Sequence, residues 1–141
     1  MTLSTDVLPI FFFFFQLIPN EWAKQVLSDL ENLTEERIDE VLSEFLKDFK
    51  EEALEAKGWP TRTSGYIVSK AAMNAYTRIL ANKYLNMSVN CVCPGYVKTD
   101  ITCNTGQFTP GEGAEHPVRL ALLSSNEQSG LFFFRQQVLP F

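Results

Sequence analysis

The sequence predicts a single α/β domain in which helices pack on a parallel sheet. In its second half, helical stripes with a 3.6-residue period alternate with short strand-like runs, and this order is typical of crossover units feeding a parallel sheet. The apolar fraction of 45% is enough to form a hydrophobic core, and a length of 141 residues allows only one such core.

An apolar segment from Val7 to Ile18 opens the chain and contains five consecutive phenylalanines. Its 12 residues and its proline at position 9 make it too short for a membrane-spanning helix, which needs about 20 apolar residues. No Lys or Arg precedes it, so it does not fit a secretory signal peptide. A short apolar run of this kind is typical of a buried strand, which we expect here.

Two amphipathic helices are predicted next, between Asn20 and Pro60. Asn20 is a suitable N-cap for the first, from Glu21 to about Leu30, and Thr34 begins the second. The second helix has an apolar stripe at helical spacing: Ile38, Val41, Leu42, Phe45, Leu46 and Phe49. We expect this stripe to pack on the helix's own domain, and the alternative is a module that binds a partner.

Charge and cysteine content restrict the partners and the compartment. Between Asn20 and Lys57 there are 12 acidic and 5 basic side chains, a net charge of −7, while the whole chain carries −5. Such a chain is not attracted to nucleic acid or to anionic membranes, and we expect neither as a partner. Three cysteines without a secretory signal favour free thiols in a reducing compartment, so we expect a cytoplasmic protein.

A long central helix is predicted from Ser64 to about Tyr84. Ala71, Ala72 and Ala75 give it a smooth face on which another element can approach closely. We therefore expect this helix to lie at the centre of the domain.

A strand, a helix and a last strand follow the central helix. The strand from Met87 to Cys93 shows a period of two and stops at Pro94-Gly95. Thr109-Pro110 then begins a helix that runs to about Leu123, because Thr is a good N-cap and Pro suits the first turn. Gly130 introduces the last strand, from Leu131 to Phe134.

Tyr66 and Lys70 are the first pair that indicates chemistry. They are four residues apart on the central helix, so their side chains share one face. A cation beside a phenol favours the phenolate, and we expect Lys70 to lower the pKa of Tyr66 and make it a general acid–base group. The Pro94-Gly95 turn lies at the carboxyl end of a strand, where open α/β sheets bind their ligands.

Three motifs together carry a family resemblance. They are Tyr66-Ile67-Val68-Ser69-Lys70-Ala71-Ala72, Pro94-Gly95-x-Val97-x-Thr99 and Glu112-Gly113-Ala114-Glu115. In this combination they resemble the C-terminal half of a short-chain dehydrogenase/reductase. The helical segment from Asn20 to Pro60 resembles the insertion found in the plant branch of salutaridine, menthone/neomenthol and carbonyl reductases.

The resemblance implies the C-terminal half of a Rossmann-type doubly wound parallel sheet with a helical insertion. In that interpretation residues 18–141 belong to the family domain, residues 20–60 form its insertion, and residues 1–17 are an apolar segment that does not match the family. It also implies an NADPH-dependent oxidoreductase that acts on a small ketone, aldehyde or alcohol. Because the insertion covers a surface that other members use for pairing, it implies a monomer.

The resemblance also implies roles for individual residues. Tyr66 would be the catalytic acid–base, and Lys70 would lower its pKa and bind the nicotinamide ribose. Four residues of the turn would bind the nicotinamide end of the cofactor: Pro94, Gly95, Val97 and Thr99. Of these, Val97 and Thr99 would reach its carboxamide.

Two features of the family pattern are missing from the sequence. No G-x-G-x-x-G occurs, so the phosphate-binding half of the site is absent, and no serine lies near Ile10 and Phe11, where the family's catalytic serine would fall. We therefore expect that this chain by itself does not bind NADPH tightly or reduce carbonyls. The alternative function is a non-catalytic protein that at most binds partners.

No metal site is predicted. His116 is the only histidine, and we expect it to be a solvated helix residue. Cys91 and Cys93 lack the further Cys or His ligands of a zinc site, and we expect both in the core.

Overall fold

The computed structural model describes residues 16–122 and 129–139. The greater part of the strand expected over residues 7–18, including positions 10 and 11, lies outside the described residues. None of the helices in the described ranges is long and apolar enough to cross a bilayer. The elements are α1 (Glu21–Ser28), α2 (Glu35–Lys50), α3 (Ser64–Lys83), β1 (Cys91–Cys93), a 3₁₀ turn (Asp100–Thr102), α4 (Pro110–Leu122), β2 (Phe132–Phe134) and β3 (Gln137–Leu139).

Both predicted caps of the helical insertion are present. The side chain of Asn20 accepts a hydrogen bond from the amide of Ala23 at 2.9 Å, and Thr34 accepts one from the amide of Arg37 at 3.3 Å. Asn20 has a second function, because its Nδ2 donates to the carbonyl of Lys57 at 2.8 Å. This bond joins the beginning of the insertion to its end and closes it into a loop on the domain.

The apolar stripe of α2 packs into the core of its own domain, as expected. Its buried members join a cluster with α1 and α3: Ile38, Val41 and Phe45. Leu46 and Phe49, which the helical spacing also assigned to the stripe, are 53% and 56% exposed. The buried face instead continues to Asp48, which is 1% exposed.

Trp59 explains why the carboxylate of Asp48 is tolerated in the core. Its ring is buried, and its Nε1 donates to Oδ2 of Asp48 at 2.8 Å. The same ring packs edge-on against Phe45, with ring centres 5.3 Å apart. The bond compensates part of the cost of removing the carboxylate from water, and it fixes the segment that leads into α3.

The central position of α3 is confirmed. Ala71, Ala72 and Ala75 are buried, and α1 and α2 both pack against this helix. Small side chains allow these helices to approach closely, so the core lies between the insertion and α3 rather than on the sheet alone.

The sheet has the order β1-β2-β3. β1 and β2 are parallel, as predicted, with Val92 opposite Phe133. β3 was not predicted, and it pairs with β2 in antiparallel orientation through a tight turn in which Arg135 has a φ of +55°. The sheet is therefore mixed, with α4 connecting its two parallel strands.

β1 is shorter than the predicted run from residue 87. The amide of Leu131 donates to the side-chain Oδ1 of Asn90 at 2.9 Å, where a regular ladder would use a backbone carbonyl. The amide of Val89 likewise donates to the hydroxyl of Ser129 at 3.1 Å. The two segments run side by side from residue 89, and side-chain bonds alternate with backbone bonds there, since the amide of Gly130 donates to the carbonyl of Val89 at 2.8 Å.

Candidate active site

A cavity of about 760 Å³ lies between the first turns of α3 and the loop that follows β1. All six residues that the sequence singles out line it: Tyr66, Lys70, Pro94, Gly95, Val97 and Thr99. A cavity of this size is in the range of small-molecule and cofactor sites. The structure thus brings a helix motif and a loop motif, which are 24 residues apart in sequence, to one place.

Tyr66 and Lys70 lie one turn apart at the beginning of α3. The Nζ of Lys70 lies over the Tyr66 ring, 5.6 Å from its centre, and 3.8 Å from Sδ of Met73. Tyr66 is 45% exposed, so a molecule in the cavity has access to it. The pair therefore presents a phenol and a cation to the same space.

The pKa of Tyr66 differs from the expectation. Burial raises it above the ordinary phenol value, and the nearby Cys93 raises it further through the negative charge that its thiol gains on ionising. The lowering that we expected from Lys70 is not found, since the ammonium lies over the ring and burial dominates. At neutral pH Tyr66 is consequently a protonated phenol, which is the form that donates a proton.

Gly95 is required by the shape of the turn. Its φ of +91° is a conformation that favours glycine, and a Cβ at this position would lie 3.0 Å from the ring of Phe108. Phe108 lies beside the beginning of the loop. The amide of Lys98 donates to the carbonyl of Phe108 at 2.8 Å, and Val97 forms an isolated β-bridge with Phe108. The loop from residue 94 to residue 108 is thus closed on itself beside β1.

Val97 packs closely against two glycines. A Cβ on Gly113 of α4 would lie 2.6 Å from Cγ2 of Val97, and a Cβ on Gly106 would lie 2.2 Å from its carbonyl carbon. Any larger residue at either position would displace Val97 from the cavity wall. The sequence motif includes Gly113, but nothing in the sequence distinguishes Gly106 from an ordinary loop glycine.

Sequence reasoning missed about half of the cavity wall. The missed residues precede α3, end β1 or belong to the loop after it: Thr63, Cys93, Tyr96, Ile101, Thr102, Cys103 and Thr105. For the loop residues the available signal was their closeness in sequence to the Pro94-Gly95 turn, since a loop that closes on itself brings its later residues back to the same wall. For Thr63 it was the closeness in sequence to Tyr66.

His116 corrects a prediction, because it is 6% exposed and not solvated. It lies three residues after the buried Gly113 on α4, so both share the inner face of the helix. Its Nδ1 has no hydrogen-bond partner among the described residues. In the same part of the chain, no group of three His, Cys, Asp or Glu side chains is arranged to hold a metal ion.

Cys91 and Cys93 are half-buried, and not full members of the core. Burial raises the pKa of both thiols. Cys91 donates to the hydroxyl of Thr77 at 2.9 Å, whereas Cys93 lines the cavity beside Tyr66. Both thiols are therefore protonated at neutral pH.

Comparison with known proteins identifies the class. Residues 53–122 match the family model described as enoyl-(acyl carrier protein) reductase. The chain is 55% identical over 124 residues to short-chain dehydrogenase/reductase 1 of Saponaria officinalis, an alignment that covers 88% of this chain and 41% of that protein. The chain belongs to the short-chain dehydrogenase/reductase family.

Within that family it is similar to plant reductases. It is 56% identical over 126 residues to (+)-neomenthol dehydrogenase of Capsicum annuum, covering 89% of this chain and 40% of the relative. The solved structure of salutaridine reductase from Papaver somniferum superposes with a TM-score of 0.81 at 50% identity, over 84% of this chain and 40% of that one. The branch and the Rossmann-type fold predicted from the sequence are confirmed, and the chain spans about 40% of the length of these relatives.

Proposed function

We propose that this chain supplies the catalytic acid and the nicotinamide-binding loop of an NADPH-dependent carbonyl reductase. The observation that carries the proposal is the single cavity in which Tyr66 and Lys70 face the loop from Pro94 to Thr99. The reaction is the reduction of a small ketone or aldehyde to an alcohol, or its reverse. Relatives named for neomenthol and for salutaridine support a small organic substrate.

The residues present fit the nicotinamide end of such a cofactor. The cavity lies at the carboxyl end of β1, where ligands of α/β sheets bind, and Gly95 leaves the turn free of a side chain beside Phe108. Val97 and Thr99 line the wall and would hold the carboxamide, while Lys70 would bind the ribose. When bound, the reduced nicotinamide supplies the hydride that attacks the carbonyl carbon.

Tyr66 supplies the proton. Its hydroxyl is protonated at neutral pH, because burial raises its pKa further above the ordinary phenol value, so Tyr66 can donate to the carbonyl oxygen as negative charge develops there. The phenolate left behind is then stabilised by the ammonium of Lys70, which lies over the same ring. By stabilising the phenolate, Lys70 opposes the effect of burial, and burial remains the dominant influence on the pKa of Tyr66.

The proposal is tested with a complete domain, because the chain spans 40% of its relatives. Residues 18–141 are joined behind the N-terminal part of Papaver salutaridine reductase, and oxidation of NADPH is followed with a panel of ketones and aldehydes. We expect substrate-dependent NADPH oxidation. A folded chimera that binds NADPH but turns over none of the carbonyls would contradict the proposal.

A further inference from the structure

The loop after β1 contains one hydroxyl that connects several of its backbone groups, and it belongs to Thr102. We infer that Thr102 is a positioning residue for the nicotinamide site. Its hydroxyl orients Val97 and Thr99 toward the cavity without itself taking part in the chemistry. This inference rests on the proposed function, because it concerns the two residues that would hold the carboxamide.

The hydrogen bonds of Thr102 carry the inference. Its Oγ1 accepts from the amide of Thr99 at 3.0 Å and lies 2.7 Å from the carbonyl oxygen of Val97, to which it can donate. The carbonyl of Thr99 is an alternative acceptor at 2.9 Å. A hydroxyl has one proton and two lone pairs, so one side chain fixes the peptide groups on both sides of Lys98.

The turn has little other freedom. Gly106 and Gly113 lie so close to Val97 that neither position has room for a Cβ, and the amide of Lys98 donates to the carbonyl of Phe108 across the loop. The bond to Phe108 holds the amide side of the Val97–Lys98 peptide group, and the Thr102 hydroxyl holds its carbonyl side together with the amide of Thr99. Holding both peptide groups in this way is the kind of preorganisation that a cofactor site needs.

The test uses the full 141-residue chain and two variants. Thr102→Val keeps the shape and loses the hydroxyl, while Thr102→Ser keeps the hydroxyl. Reduced nicotinamide mononucleotide is the probe, because it contains the nicotinamide and ribose without needing a pyrophosphate site. NMR reports hydrogen exchange at the Thr99 amide and the affinity for the probe.

We expect Thr102→Val to speed exchange at Thr99 and to weaken probe binding about five- to tenfold, the typical effect of losing one hydrogen bond. Thr102→Ser should restore both. Thr34→Val is the matched control, because it removes the cap of α2 far from the cavity. It should lower the melting temperature and leave Thr99 exchange and probe affinity unchanged.

The outcomes separate the inference from the function on which it rests. Unchanged Thr99 exchange in Thr102→Val overturns the inference, and so does faster exchange with unchanged affinity, since Thr102 would then be structural only. If the unsubstituted chain does not bind the probe even at millimolar concentration, the proposed function itself fails in this chain. In that case Thr102 has no ligand site to position, and the inference falls with it.

Discussion

The ammonium of Lys70 lies 5.6 Å from the centre of the Tyr66 ring, one turn further along α3. Burial at the same place raises the pKa of Tyr66, with Cys93 adding to the effect. The cation and the burial therefore favour different protonation states of one phenol. A general acid requires both states, because it must hold its proton before the reaction and be stabilised after losing it.

The first prediction concerns the titration of Tyr66. Replacing Cys93 by serine removes a thiol that ionises at alkaline pH, so the pKa of Tyr66 should fall but remain above about 10, the ordinary phenol value, because burial persists. Ultraviolet absorbance of tyrosinate, measured as the difference between each chain and its Tyr66→Phe counterpart, gives both values. A pKa of Tyr66 below the ordinary value in the unsubstituted chain would show that Lys70 dominates.

The same shift has a consequence for stability. A raised pKa means that the folded chain binds the Tyr66 proton more tightly than the unfolded chain. The stabilisation from Tyr66 is thus fully present below about pH 10, the unfolded phenol value, and is lost as the pH rises through the folded pKa. Urea unfolding at increasing alkaline pH should show a steeper loss for the unsubstituted chain than for Tyr66→Phe. Parallel profiles would contradict this.

A second prediction concerns the bond between Trp59 and Asp48. Trp59→Phe removes the indole Nε1 that donates to Oδ2 of Asp48 and leaves a cavity beside Phe45. It should lower the free energy of unfolding by about 2–4 kcal/mol. Trp22→Phe is the control, because Trp22 is 37% exposed, and it should stay within about 0.5 kcal/mol. Equal effects in urea denaturation would show that Trp59 has no special role.

A third prediction uses two glycines of α4. Gly113→Ala places a Cβ 2.6 Å from Val97, so it should lower the free energy of unfolding by about 1–3 kcal/mol. Gly111→Ala meets nothing within 4 Å and should be neutral or stabilising by up to about 1 kcal/mol, since alanine favours helix. Thermal melts of the two variants check this. A Gly113→Ala chain as stable as the Gly111→Ala chain would mean that α4 does not pack closely against Val97.

The features that the sequence predicted depend on local patterns. Asn20 and Thr34 cap helices because the cap bond spans only three residues, and the alanines of α3 mark its buried face wherever the helix lies. Tyr66 and Lys70 share a face by helical geometry alone. Their meeting with the loop after β1 followed from the rule that ligands bind at the carboxyl ends of strands.

The features that the sequence did not predict depend on contacts between distant residues. Asp48 is buried because Trp59 donates to it from 11 residues away, and no helical period reveals such a partner. His116 is buried because α4 turns the Gly113 face inward. Thr102 gains its position from a loop that closes on itself, and its composition does not distinguish it from the other threonines of that loop.

The most direct test of the account is the turnover of the chimera with Tyr66→Phe, which removes the proton donor and keeps the ring. We expect the turnover number to fall by about 10²–10⁴-fold, the contribution of a positioned general acid, with NADPH affinity retained. Lys70→Met, in parallel, should also reduce turnover because the phenolate loses its cation. A Tyr66→Phe chimera that turns over within a factor of about two of its parent would show that Tyr66 is not the acid and would contradict the central claim.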